Sequence, residues 1–286
     1  MHRSLTLCAG LALVACGGSD KNAPPEGGGT PTEWQTLLTG DWTLPPATED
    51  YVCVRQTVTE DIYVRALQAI NPPGTHHTFL TIGPASGPDG VTPCDFTVNQ
   101  GQAIFGSGVG TNAIEFPPGV AMKMSAGEQL LLNLHLFNSN PSELSGSSGT
   151  KMVRVEESEV EYLGENRPAL DLSLNIPPHQ EWSEVGSTAM SSDRTIFAVL
   201  PHMHQLGSHM KVTAASSLDG ERVLHDGPYE FEAQLYYPID PIRMAAGDKL
   251  QFECTWKNTT DRTINFGDSS LDEMCAVGLY QYPAER

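Results

Sequence analysis

The chain has 286 residues, enough for one large domain or two of ordinary size. Lys and Arg number 16 against 35 Asp and Glu, a formal charge of −19, which excludes binding of nucleic acid or of an anionic membrane through a basic face. The 27 glycines and 21 prolines are spread throughout and no long helical-period run of Ala, Glu, Lys and Leu interrupts them, so the expectation is an all-β protein rich in turns.

The N-terminal "MHRSLTLCAGLALVAC" joins a short basic start to an apolar stretch over residues 5–15. That stretch is too short to span a bilayer and reads as a signal peptide over 1–15. "LVAC" at 13–16 resembles the lipobox of bacterial lipoproteins, which implies cleavage before Cys16 and lipidation of its sulfur. Gly17 follows where an aspartate would signal retention, so the resemblance implies an exported protein anchored by lipid to the bacterial outer membrane. Residues 16–32, with "GGSDKNAPPEGGGTPT", form a polar, flexible tether with nothing to pack. Setting Cys8 and Cys16 aside leaves Cys53, Cys94, Cys254 and Cys275. An even number in an exported chain predicts two disulfides, with three connectivities open. The local pairing, Cys53–Cys94 and Cys254–Cys275, would place one bridge in each half, each contributing about 3–4 kcal/mol.

Next along the chain, "NPPGTHHTFL" carries His76 and His77. Neighbours on a regular strand point to opposite faces, so both can reach one ion only if the backbone is irregular there, as the preceding Pro-Pro-Gly allows. At 116–138, "FPPGVAMKMSAGEQLLLNLHLFN" aligns without gaps to "YYPIDPIRMAAGDKLQFECTWKN" at 236–258, at a constant offset of 120 residues. This predicts two copies of one β-domain in tandem, an N-terminal domain at 33–163 and a C-terminal domain at 164–286 joined near "YLGENRPAL", each an antiparallel, jelly-roll-like sandwich. In the first copy Leu132, Leu134 and Leu136 alternate with Asn133, His135 and Phe137, so the leucines face the core and His135 faces away. Thr255 stands at that position in the second copy, so the shared fold does not require the histidine.

"VLPHMHQLG" then ends an apolar run with His202 and His204. At i and i+2 on a strand the two would point the same way, a chelating arrangement, with Met203 turned into the domain. The last motif is "DEMC", with Met274 beside Cys275. His179, His209 and His225 fall in no motif.

Taken together, "HHTFL", "LLNLHLFNSNP", "HMHQLG" and "DEMC" occur in the order found in the copper type II, ascorbate-dependent monooxygenases, the family of peptidylglycine α-hydroxylating monooxygenase and dopamine β-monooxygenase, which the chain resembles beyond its tether. The resemblance implies two mononuclear copper sites per chain. His76, His77 and His135 would hold the electron-transfer copper; His202, His204 and Met274 would hold the oxygen-binding copper. It also implies a Cys254–Cys275 bridge. The ligand chemistry agrees: a thioether favours Cu(I), the state that meets O2, and three protein ligands leave a position open. No side-chain catalyst beyond the metal ligands is implied.

The sequence departs from the peptide-amidating member of that family. No arginine precedes the H-x-H, where Leu200 and Pro201 stand, and Ala276, Val277 and Gly278 follow Cys275 in place of the asparagine and tyrosine that help bind a peptide carboxylate. The expected function is therefore a copper- and O2-dependent monooxygenase that hydroxylates a C–H bond of a small, non-peptide substrate with ascorbate or a similar reductant. Its partners would be that substrate, O2 and the reductant; its only membrane contact would be the lipid anchor. The alternative is a non-catalytic copper-binding lipoprotein for buffering or delivery. The absence of Met/His-rich tracts and the two differently composed sites argue against it, and the lack of an H-E-x-x-H argues against a zinc hydrolase.

Overall fold

The computed structural model describes residues 33–284 apart from 96, 97, 99, 100 and 268. The expected signal peptide, the tether and the lipidated Cys16 lie outside the described residues. The expected all-β class holds: the described chain is strands and turns, with a single 3-10 turn at Glu157–Glu159. No helix among the described residues is long and apolar enough to cross a membrane.

The strands form five sheets. In one, Gln35–Leu44, Leu144–Val155, Ile62–Ile70, Val120–Met124 and Tyr162–Leu163 lie in that order, with Ile114–Glu115 paired to Ile62–Ile70. In another the order is Gly90–Pro93, Thr48–Thr57, Gln129–Asn138, Thr75–Gly83 and Gln102–Ser107. From Glu165 onward the sheets change. Glu165–Asp171, Cys275–Tyr282, Arg194–His202 and Tyr237–Met244 make one; Gln180–Ala189, Lys249–Asn258, Gly207–Ser216 and Gly220–Pro228 make another; Asn175–Ile176 and Ile264–Asn265 make the smallest. The change falls at Gly164, where any Cβ would sit 2.9 Å from the Phe116 ring. The ladders are antiparallel, as expected, with one exception: Tyr162–Leu163 runs parallel to Val120–Met124.

The 120-residue repeat is structural. Val120–Met124 turns into Gln129–Asn138 as Tyr237–Met244 turns into Lys249–Asn258. Gly127 (φ 88°) and Gly247 (φ 87°) take the left-handed conformation that glycine adopts without steric cost. Each turn is closed by its own acid, Glu128 Oε2 accepting from Ser125 N at 2.8 Å and Asp248 Oδ2 from Ala245 N at 2.7 Å. Each strand ends on a buried asparagine whose Nδ2 donates to three carbonyls: Leu44, Pro45 and Ser142 for Asn138; Ile176, Pro177 and Arg262 for Asn258.

Alternation along the strands supplies the cores. Leu132, Leu134 and Leu136 are fully buried, as expected, while Phe137 is exposed. Both large sheets of residues 35–163 feed one buried cluster, which also takes in Leu200, Tyr236 and Tyr280. Val199 and Leu279, next to Leu200 and Tyr280 in sequence, enter a second cluster with Val277, Met203 and Trp256. Arg194–His202 and Cys275–Tyr282 therefore serve both cores from opposite faces. Buried hydroxyls tie this seam: Tyr236 donates to the Gly106 carbonyl at 2.6 Å and Tyr280 to the Ile104 carbonyl at 2.8 Å. Of the three connectivities, the disulfides are Cys53–Cys94 and Cys254–Cys275.

Candidate functional site

His76, His77 and His135 converge. One ligand atom from each lies within 4.8 Å of the other two. The backbone irregularity that this needs is present: the pairing of Thr75–Gly83 with Gln129–Asn138 slips between Thr75 and His77, a bulge at His76. His77 then sits opposite His135, and the His76 ring reaches the same side. His76 Nε2 is 2.6 Å from Glu232 Oε2, and His135 Nε2 is 2.6 Å from Glu49 Oε1. A carboxylate only accepts, so both Nε2 atoms carry the proton and both Nδ1 atoms present lone pairs. Those two Nδ1 atoms face each other at 3.2 Å. With both rings neutral, two lone pairs face each other, an arrangement that a cation bound between them would stabilise. Two nitrogens bound to one ion at about 2.0 Å lie roughly 2.8–3.3 Å apart for angles between square and tetrahedral, and 3.2 Å is in that range. His77 adds a buried Nε2 without a hydrogen-bond partner. Burial, with His76 and His135 adding to it, pushes the His77 pKa down to about 3, so its ring is neutral at pH 7.

The second set differs from expectation in one respect. His202 ends the strand Arg194–His202, but His204 lies beyond it in the turn before Gly207–Ser216. The pair is therefore not two alternate positions of one strand, and the rings stand nearly perpendicular, 5.4 Å apart. The cause is Glu273, which is fully buried and which sequence reasoning passed over inside "DEMC". Its Oε1 accepts from Leu206 N at 2.7 Å. Its Oε2 accepts from His204 N at 2.8 Å, Trp256 Nε1 at 3.0 Å and Met274 N at 3.3 Å. One carboxylate thus bends the chain after His202 and fixes His204 relative to Met274. Cys275, bridged to Cys254, holds Met274 from the other side. His202 Nδ1 faces Gln234 Oε1 at 3.0 Å and His204 Nδ1 faces the Asp272 carbonyl at 3.2 Å. Both partners accept, so this pair presents Nε2 lone pairs where His76 and His135 present Nδ1. Burial first, then His204, lowers the His202 pKa to about 4.

One cleft of about 470 Å³ is shared by members of both sets: His77, His135, His202, His204 and Met274 are in its wall, and His76 is not. Leu200, Ala276 and Gly278 also line it, whereas Val277 turns into the core. Among the described lining residues none is Lys, Arg, Asp or Glu. His179, His209 and His225 are elsewhere: the first two pair with Asp261 and Asp226, and His225 packs on Tyr237.

Residues 172–286, which contain His202, His204 and Met274, match the model of the copper type II ascorbate-dependent monooxygenase C-terminal domain. Over these residues, about two-fifths of its length, the chain is similar to that family. The human putative DBH-like monooxygenase protein 2 is 25% identical over 202 residues, which cover 64% of this chain and 40% of that protein. The chain therefore spans well under half the length of that relative. The dimeric latent PorU of Porphyromonas gingivalis overlaps 82% of this chain and 24% of that one at 9% identity, with a TM-score of 0.18, which bears on nothing here.

Copper is the metal expected of the family, and both donor sets fit it. Imidazole serves either oxidation state, and the thioether beside His202 and His204 is a soft donor suited to Cu(I). On both sets ring nitrogens are held by a carboxylate or a carbonyl oxygen, the arrangement that would orient these histidines toward a metal. Glu49, Glu232 and Gln234 supply three of these contacts and the Asp272 carbonyl a fourth. No short motif reveals Glu49, Glu232 and Gln234: the first comes from the strand Thr48–Thr57 and the other two from the connection after Gly220–Pro228.

Proposed function

We propose that the protein is a copper monooxygenase with two mononuclear sites, one held by His76, His77 and His135 and the other by His202, His204 and Met274, in two sandwich domains that divide near Gly164. The observation that carries this reading is the shared cleft, with five of the six candidate ligands and no Lys, Arg, Asp or Glu in its described wall. Bound copper supplies one-electron redox chemistry and reactivity toward O2. The protein contributes neutral imidazoles at pH 7, since the His77 and His202 pKa values lie near 3 and 4. Glu273 keeps Met274 and His204 in register, and Gln234 aims His202.

The cleft also supports the substrate reading. An ammonium entering it would lose water and find no carboxylate in its described wall, and a carboxylate would find no Lys or Arg there to orient it. Leu170, Leu200, Pro168 and Ala276 offer apolar contact, and Asn166, Ser269 and Ser270 offer hydrogen bonds. The substrate is small and uncharged and is hydroxylated at a C–H bond; ascorbate or a similar reductant supplies electrons. The lipid anchor at Cys16 places the enzyme at the bacterial outer membrane.

Oxygen uptake by the copper-loaded protein with ascorbate, over a panel of neutral and charged small molecules, tests this. Substrate-dependent uptake with neutral compounds, lost in Met274→Ile, is expected. No more than one copper per chain, or two coppers with no coupled turnover, would overturn it, and the second result would point to a copper carrier.

A further inference from the structure

The segment Glu230–Tyr236 leaves the sheets of the C-terminal half and lies against the N-terminal half. Thr111 Oγ1 donates to the Gln234 carbonyl at 2.7 Å. Asn112 Nδ2 donates to the Tyr236 carbonyl, and Tyr236 N donates back to Asn112 Oδ1, both at 2.9 Å. Gly108 makes room for the crossing: a Cβ there would sit 2.8 Å from the Glu232 carbonyl oxygen and 3.0 Å from the His77 ring.

This strap touches the donors of both sites. Glu232 receives the Nε2 proton of His76 at 2.6 Å. The Phe231 carbonyl hydrogen-bonds the His77 ring. The Phe231 ring stands edge-on to His77 at 4.9 Å and to His204 at 6.1 Å, and Gln234 holds His202. Two of the three histidines of the first site are thus oriented by residues of the second half, and only His135 takes its partner, Glu49, from its own half.

We infer that Glu232 is a positioning residue for the His76/His77/His135 copper, supplied by the other half of the molecule, so that this site is complete only when the strap is docked. The inference rests on the copper reading above. The Glu232 side chain is 63% exposed, so its pair with His76 contributes little to folding. Its effect is on the ring: the carboxylate fixes the Nε2–H tautomer, aims Nδ1 at the ion and makes the imidazole a better donor.

The test uses the full chain carrying His204→Ala, which weakens the second site, titrated with copper under competition and followed by EPR and redox titration. Glu232→Ala is expected to weaken the remaining copper about 10-fold or more, the usual scale for losing such a partner. Glu232→Gln keeps an acceptor and should recover much of the affinity, while its reduction potential rises because a negative charge near the oxidised ion is gone. The melting temperature of the metal-free protein should stay put in both. Unchanged affinity and potential in Glu232→Ala, with the parent binding copper, would overturn this inference alone. A parent that binds no copper, whether or not His76 is replaced by Ala, would overturn the two-site reading and this inference with it.

Discussion

Glu273→Gln probes how the Met274 site is built. In the native protein four N–H groups point at one buried carboxylate. Burial raises the Glu273 pKa and the four donors work against that rise. Glutamine has the same shape but only one acceptor oxygen. Its best placement puts that oxygen where the His204, Trp256 and Met274 donors converge and turns the amide NH2 toward Leu206 N, donor against donor. One buried N–H then goes unsatisfied and three charge-assisted bonds become neutral, a cost of about 2–4 kcal/mol. For a chain of this size that lowers Tm by roughly 4–16 °C. Because the same oxygen spaces His204 from Met274, copper affinity at the second site should fall about 10- to 100-fold while the His76 set keeps its own. The assay pairs thermal unfolding of the metal-free protein with copper titration of the variant. A Tm within 1 °C of the parent, with unchanged second-site affinity, would refute the assignment of Glu273 as the clamp.

Two further predictions follow from particular contacts. Asn138→Ala and Asn258→Ala each strip three carbonyls of the same donor in equivalent places, so each should destabilise by about 2–4 kcal/mol; a loss in one with none in the other, by urea unfolding, would deny the structural equivalence of the two strand ends. His77 and His202 are held neutral in the fold, with pKa values near 3 and 4 against 6.5 in the unfolded chain. Their contribution is fully present above about pH 6.5 and is lost as pH falls toward the folded values, because the unfolded chain takes up the protons first. From pH 7 to 5 the metal-free protein should lose about 2 kcal/mol per histidine, and His77→Asn/His202→Asn should flatten that slope in denaturant titrations; an equal slope in the variant counts against the buried neutral rings.

Much of this molecule is legible in its sequence. The leucine alternation around His135, the repeat, and the glycine at each repeat turn follow from local rules: a strand has period two, and a left-handed turn favours glycine. The four motifs name six candidate ligands because each is a short run of unusual residues. What the sequence leaves open is set by encounters between distant segments. Three disulfide connectivities are possible for four cysteines, and only the packing of the sheets selects Cys53–Cys94 and Cys254–Cys275. The spacing of His202 and His204 suggests a chelating strand, yet a buried carboxylate about seventy residues on bends His204 out of it. Glu49 and Glu232 are two among 35 acidic residues, and nothing local marks them. They matter because the fold places each within 2.6 Å of a histidine nitrogen, and a hydrogen bond depends on where two atoms lie in space, which residue order along the chain does not specify.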